Sequence, residues 1–383
     1  MEHFAVHPDL LRWACERAGY DIDTLSQRFR QLSAWIRREK KPTFRQLENF
    51  AKATRTPLGY FFLPEPPVES LPIPDLRTIK RKPARPSPEL LDTIYAMQRR
   101  QAFLREIRIE DETEPLDFLG GARLSDNPEA IGREMRRLVG LDDNWASQAP
   151  TWKEAVGELR RRIEQLGIMA VINGIVGNNT HRKLDPKEFR GFALTDRFAP
   201  LIFVNGADTK SAQMFTLAHE LAHVWLGSQG EGLSGFEGIF PGNEQVERFC
   251  DQAAAEFLVP ARELKQQWPQ FKSSTDPFEK IARFFKVSPI VAGRRAMDLR
   301  LVTREAFFKF YESYTKKERQ QAKGAGGGDF YKNQNTRVGE PFARTVVFAA
   351  MEGRVTFKEA YDLTGLHGGA FQEYARRLGI LLP

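Results

Sequence analysis

The sequence predicts an α+β protein, rich in helix with one small sheet, preceded by a small all-α unit and followed by a helical C-terminal segment. Three observations predict it. Apolar residues recur at helical spacing through most of the 383 residues, short continuous apolar runs are confined to residues 168–204, and these strands do not alternate regularly with helices. At this length two or three domains are expected.

The first four helical patterns lie in residues 8–57. They are carried by Leu10, Leu11, Ala14 and Cys15; by Ile22, Leu25 and Phe29; by Leu32, Trp35 and Ile36; and by Phe44, Leu47, Phe50 and Ala51. Residues 1–63 are therefore expected to form a small helical domain of helix-turn-helix-like character. Eight of the 23 prolines fall between Pro64 and Pro88, where fixed φ angles and missing donors predict an extended linker over 64–88. That linker is also basic, with Arg77, Lys80, Arg81, Lys82 and Arg85.

Residues 89–300 are expected to form the central domain, with its core at 151–262. A helix is predicted over 89–108 and at least two more over 129–167, the last with a stripe of Trp152, Ala155, Val156, Leu159, Ile163 and Leu166. The runs Ile168–Ile172, Phe192–Leu194 and Leu201–Val204 are bounded by Gly, Asn, Asp or Pro and predict strands. Helical spacing returns from Thr209 to Leu226, closed by Gly227, and from Glu244 to Leu258, closed by Pro260. Residues 301–383 read as helical, interrupted by a Gly-rich linker at 323–328. Their last two helices, around Gly365, Gly368 and Gly369, form a helical hairpin or a second helix-turn-helix.

Composition narrows the function classes. Hydrophobic residues are 41% and charged residues 28%, ordinary for a globular protein. No apolar run approaches the roughly 18 residues of a membrane span, and the start has no secretory pattern. Two distant cysteines, Cys15 and Cys250, exclude a disulfide framework, so a reducing cytoplasm is the expected location. The formal charge of +7 permits a nucleic-acid partner without requiring one. Its densest run, Arg28, Arg30, Arg37, Arg38, Lys40 and Lys41 against Glu39 alone, makes DNA contact through the N-terminal domain an expectation, beside the alternative of a solvated face. The stretch 23–35, however, leaves almost no turn between a scanning and a recognition helix.

The chemistry is concentrated in Thr216-Leu217-Ala218-His219-Glu220-Leu221-Ala222-His223, an H-E-x-x-H on a predicted helix. His219 and His223, at i and i+4, share one face and can reach one metal. A catalytic zinc site needs a third protein ligand. Leu226 and Gln229 stand where a metzincin has Gly and His, so that class is excluded. The third ligand is then a downstream carboxylate, with His181 as the upstream alternative. Glu231, Glu237, Glu244, Glu247, Asp251 and Glu256 are the candidates. The first two lie in a Gly-rich loop, where a ligand is harder to hold. Glu247 and Asp251 share a face flanking the stripe Val246, Cys250, Ala253, Ala254 and Phe257. Glu247 is expected to bind the metal and Asp251 to support a ligand imidazole. Glu256, on the other flank, is expected to be exposed or paired. Glu220 is the expected general base, working on water activated by Zn2+, with Mn2+ or another divalent ion as alternatives. His181, Arg190 and the tyrosines are unranked candidates for stabilising the oxyanion.

The segment Gln213–His223, followed by Glu247-Arg248-Phe249-Cys250-Asp251-Gln252-Ala253-Ala254-Ala255-Glu256-Phe257-Leu258-Val259-Pro260, resembles the core of the ImmA/IrrE-type metallopeptidases. The resemblance extends over the strands from Ile168 to Val204, and the run Pro57–Pro67 is similar to the junction in members fused to an N-terminal XRE-type helix-turn-helix. It implies a zincin-like domain, supports Glu247 as third ligand, and implies cleavage of a partner repressor, antitoxin or stress regulator in bacteria or phage. Some fused members are regulators in toxin and defence operons, so an adjacent-gene toxin or repressor is the implied partner. A DNA-binding regulator that uses the peptidase fold as a sensing module is the alternative. Two positions depart from the family pattern: Ala253 stands where an aromatic is frequent, and Asp251 where Asn is common.

Overall fold

The computed structural model describes residues 3–67, 86–227, 244–321 and 330–381. The chain divides into two compact units, one reaching to Tyr95 and the other formed essentially by Ala96 onward. Most of the Pro-rich linker, the Gly-rich linker 323–328, and the candidate ligands Glu231 and Glu237 lie outside the described residues.

In the first unit, α1 (Pro8–Arg17), α2 (Ile22–Arg28), α3 (Leu32–Ile36) and α4 (Phe44–Thr54) are followed by a 3₁₀ turn at Leu58–Phe62. Local chemistry starts each of the longer helices: Pro8 opens α1, the Asp21 side chain caps α2, and Thr43 and Gln46 form a reciprocal capping box on α4. Leu10, Leu11, Leu32, Leu47, Phe50 and Phe61 are buried together. The first residues of α5 (Pro88–Glu110) belong here as well, with Glu89 paired to Arg55. Between α2 and α3 only residues 29–31 intervene, and α3 has five residues.

The second unit contains α6 (Pro128–Val139), α7 (Trp145–Gln148) and α8 (Trp152–Gln165), then five strands. These are β1 (Met169–Asn173), β2 (Ile175–Val176), β3 (Asn179–Lys183), β4 (Gly191–Leu194) and β5 (Leu201–Asn205). The three anticipated runs form one sheet in the order β1-β5-β4, with β1 parallel and β4 antiparallel to β5. Every residue of β1 and β5 is buried, which is why they read as continuous apolar runs rather than alternating ones. The exposed polar hairpin β2–β3 escapes the hydrophobic pattern, although Gly177 and Asn178 mark its turn.

The helices α9 (Lys210–Leu226) and α10 (Glu244–Leu258) match the spans predicted for them, and α9 packs on β4, β5, α8 and α10. Then follow α11 (Ala261–Phe271), α12 (Pro277–Phe285), α13 (Pro289–Asp298) and α14 (Arg304–Gln321). A Cβ added to Gly132 of α6 would lie 2.5 Å from the Ala253 carbonyl oxygen and 3.0 Å from Glu256 Cβ. The backbones of α6 and α10 therefore meet where Ala253 sits, leaving no room for an aromatic there. This accounts for one departure from the family pattern.

The end of the chain forms α15 (Phe330–Val338), α16 (Glu340–Met351), α17 (Phe357–Thr364) and α18 (Gly369–Arg377), docked on their own unit. The Arg100 side chain donates to the carbonyls of Leu363 and Arg337, Arg160 to that of Asn335, and Asn178 to that of Gly365. Phe103 meets Phe342 edge-on, and Val338, Val346, Val347 and Phe371 are buried. A chain ending before Phe330 is expected to lose most of its soluble yield and urea resistance, because it exposes these apolar partners and strands the buried Arg100. Any folded remainder should keep its metal, as analysis of metal content would check. Among the described residues, no helix is long and apolar enough to cross a membrane.

Candidate metal centre

The site is built on α9, the most deeply buried helix of the sheet-containing domain. Thr209 caps it by accepting from the Ala212 amide, and buried Gln213 donates to the carbonyls of Gly206 and Asp208, tying the helix to the end of β5. Leu217, Ala218, Leu221 and Ala222 are fully buried, and packing on several sides holds the helix rigidly.

His219 and His223 project from adjacent turns of α9, and Glu247 faces them from α10. The His219 and His223 Nε2 atoms are 3.0 Å apart. His219 Nε2 lies 3.4 Å from one Glu247 oxygen, and His223 Nε2 lies 3.2 Å from the other. Two imidazole nitrogens and one carboxylate oxygen are the donor set of catalytic zinc. With metal–ligand distances of about 2.0–2.1 Å, tetrahedral ligands stand about 3.3–3.4 Å apart. The observed separations fit a small divalent ion. Among the described residues this is the one His/Cys/Asp/Glu group whose ligand atoms converge in this way.

Behind the ligands, the His219 Nδ1–H donates to Asp251 Oδ1 at 3.0 Å, which fixes the tautomer that leaves Nε2 as a lone-pair donor. His219 is fully buried, whereas Glu247 and Asp251 retain partial exposure. Replacing Asp251 by Ala is expected to weaken metal affinity about 10–100-fold while Asn loses less, since Asn keeps a hydrogen-bond acceptor. Competition with a chromogenic chelator would measure both.

Glu220 is 3% exposed and points to the start of β4. A Cβ on Gly191 would stand 3.2 Å from Glu220 Oε1, 2.5 Å from Thr216 Cγ2 and 2.8 Å from the Phe203 carbonyl oxygen. Only glycine lets the strand lie this close to the helix. Sequence reading missed Gly191, because a glycine opening a strand is ordinary until the helix beneath it is known. Gly191→Ala is expected to cost about 1–3 kcal/mol and to displace Glu220, as urea denaturation combined with an activity assay would show.

The remaining candidates lie elsewhere. His181 is exposed on β3 and stands outside the converging group, so the upstream alternative for the third ligand is not supplied by this fold. Its strand is held in the hairpin rather than folded back over α9. Arg190 lies 3.5 Å from Asp208. Glu244 is exposed at the start of α10. Glu256 is 2% exposed and bonded to Arg295, to the Ala261 amide and, at 3.4 Å, to Arg133; it is a structural, paired carboxylate.

Residues 163–297 match the model of peptidase family M78, the IrrE N-terminal-like domain. Residues 338–377 match a domain of unknown function (DUF8813). No curated protein matches the chain.

Proposed function

We propose that this chain, whose residues 163–297 form a metallopeptidase domain of the ImmA/IrrE type, is a zinc-dependent peptidase that hydrolyses one regulatory protein in the bacterial or phage cytoplasm. The observation that carries the reading is the convergence of His219, His223 and Glu247 within 3.4 Å, with Glu220 on the same helix. A divalent ion held by these three residues supplies Lewis acidity, drawing the pKa of water toward about 7 and polarising an amide carbonyl. Glu220 then takes the proton from the attacking water and delivers it to the departing amine as the C–N bond breaks. Asp251 keeps the His219 ring oriented throughout.

The substrate reading rests on the family: a repressor, antitoxin or stress regulator, with a toxin or repressor encoded in an adjacent gene as the first protein to try. Co-expression of neighbouring gene products with wild-type protein or Glu220→Gln, followed by labelling of new N-termini, tests it. A new terminus made only by wild type supports the reading. Intact neighbours, and no new terminus anywhere in the host proteome, would count against it.

A second reading, a DNA-binding regulator, is favoured by one observation. Arg37, Arg38, Lys40 and Lys41 are all exposed on the loop after α3. Footprinting on the protein's own promoter over a salt series separates operator recognition from phosphate attraction, which weakens steeply with salt on any sequence. An absence of protection on that promoter at moderate salt rejects this reading.

A further inference from the structure

A cavity of about 230 Å³ lies away from the metal ligands, where three parts of the second unit meet. One wall is a stripe of α5, with Leu104, Ile107 and Arg108. Another is the turn from α8 into β1, with Glu164 and Met169, inside the IrrE-like segment. The third is the first turn of α16, with Phe342, inside the domain of unknown function. At this size the cavity falls below the roughly 300–1,000 Å³ of sites for drug-sized ligands and suits a molecule of about ten non-hydrogen atoms.

Two opposite charges border an otherwise apolar space. The Arg108 Nη1 donates to the carbonyls of Gly167 and Phe198, which orients the guanidinium. No carboxylate pairs with it among the described residues; nearby Asp196 is bonded to Arg105. Its remaining N–H groups form a planar fork suited to a carboxylate. Glu164 is 8% exposed, and its Oε1 accepts from Arg160 at 2.6 Å. Its other oxygen has no hydrogen-bond partner among the described residues. Gly339, with φ +88°, lets the chain pass this carboxylate, since a Cβ there would stand 3.0 Å from Glu164 Oε1. Arg108 holds the Gly167 carbonyl, three residues beyond Glu164, so the two charges lie within one turn of chain from each other.

We propose that this cavity binds a small apolar zwitterion, an α-amino acid of leucine's size, with its carboxylate on Arg108, its ammonium on Glu164, and its side chain against Leu104, Ile107, Met169 and Phe342. A ligand with one charge satisfies one wall and leaves the other charge desolvated, whereas an uncharged ligand buries both against it. Because its walls belong to α5, the peptidase domain and the domain of unknown function, the ligand bridges all three. This assigns the C-terminal helices a ligand-binding role that is independent of peptide hydrolysis.

The test uses the purified full-length chain, calorimetric titration and thermal unfolding, with L-leucine, isovalerate and isoamylamine as separate probes. Leucine is expected to bind with a Kd of about 1 mM or tighter and to raise the melting temperature saturably. Isovalerate and isoamylamine, which each carry one of the charges, should bind at least about tenfold more weakly. Glu164→Gln and Arg108→Lys should weaken leucine at least about tenfold. Thr345→Phe, which fills the space from the half-buried rim and leaves both charges in place, should abolish binding while the unliganded protein melts as wild type does. Three results overturn the proposal: no effect of leucine at roughly ten times the expected Kd, isovalerate binding as tightly as leucine, or unchanged leucine affinity in a folded Thr345→Phe protein. None of these readouts depends on catalysis, so they stand apart from the fate of the peptidase reading.

Discussion

Glu220→Gln is expected to retain its metal and lose about 10²–10⁴-fold in kcat, the range that positioned proton transfer contributes. The amide preserves the size of a side chain that sits buried beside Gly191 and Thr216, so the packing survives, but it cannot take up the proton. Glu247→Ala should fail differently. It removes one of three ligand atoms that stand 3.0–3.4 Å apart, and metal is lost before any question of rate arises. Metal content by mass spectrometry, paired with single-turnover cleavage of the identified substrate, separates the two. Wild-type kcat in Glu220→Gln would remove it from the chemistry, and wild-type metal affinity in Glu247→Ala would remove that residue from the ligand set.

Glu256→Ala is expected to cost about 3–5 kcal/mol of stability, read from the shift in urea midpoint at constant slope. The carboxylate joins three helices: Arg295 of α13 donates to it and also to Glu129 of α6 and to the Val259 carbonyl at the end of α10. Arg295 is 4% exposed, so truncating Glu256 strands a buried guanidinium. Burial pushes the Glu256 carboxyl above its ordinary range, with Arg295 only partly opposing the shift. Charge at this position is therefore costly in itself, and Glu256→Gln should lose much less than Glu256→Ala because a neutral acceptor still meets the arginine. Equal losses in the two variants would mean that packing, not pairing, is what Glu256 contributes.

Short-range chemistry made much of this protein legible in its sequence. The i, i+4 histidines, the glutamate between them and the caps at Thr43 and Thr209 are local patterns, decided within a few residues of chain and unaffected by what packs around them. The strands β1 and β5 were legible because burial on both faces leaves an unbroken apolar run, whereas the hairpin β2–β3, solvated and polar, carried only its turn. Asp251 was readable as a partner for His219 because it lies one turn beyond Glu247 on the same face of α10.

Tertiary structure alone decided which small residues matter and which charges meet. Gly132 and Gly191 look like any other glycine until Ala253 and Glu220 are found against them, and the same contact explains why residue 253 is alanine. His181 and Glu256 were eligible by residue type, but a hairpin carries the first out to solvent and Arg295 engages the second. Arg108 and Glu164 are 56 positions apart in a chain of 57 basic and 50 acidic residues, and no local pattern distinguishes them. Sequence spacing specifies what one helix presents on one face; close approach, desolvation and charge pairing depend on which second element arrives, and that is fixed only when the chain folds.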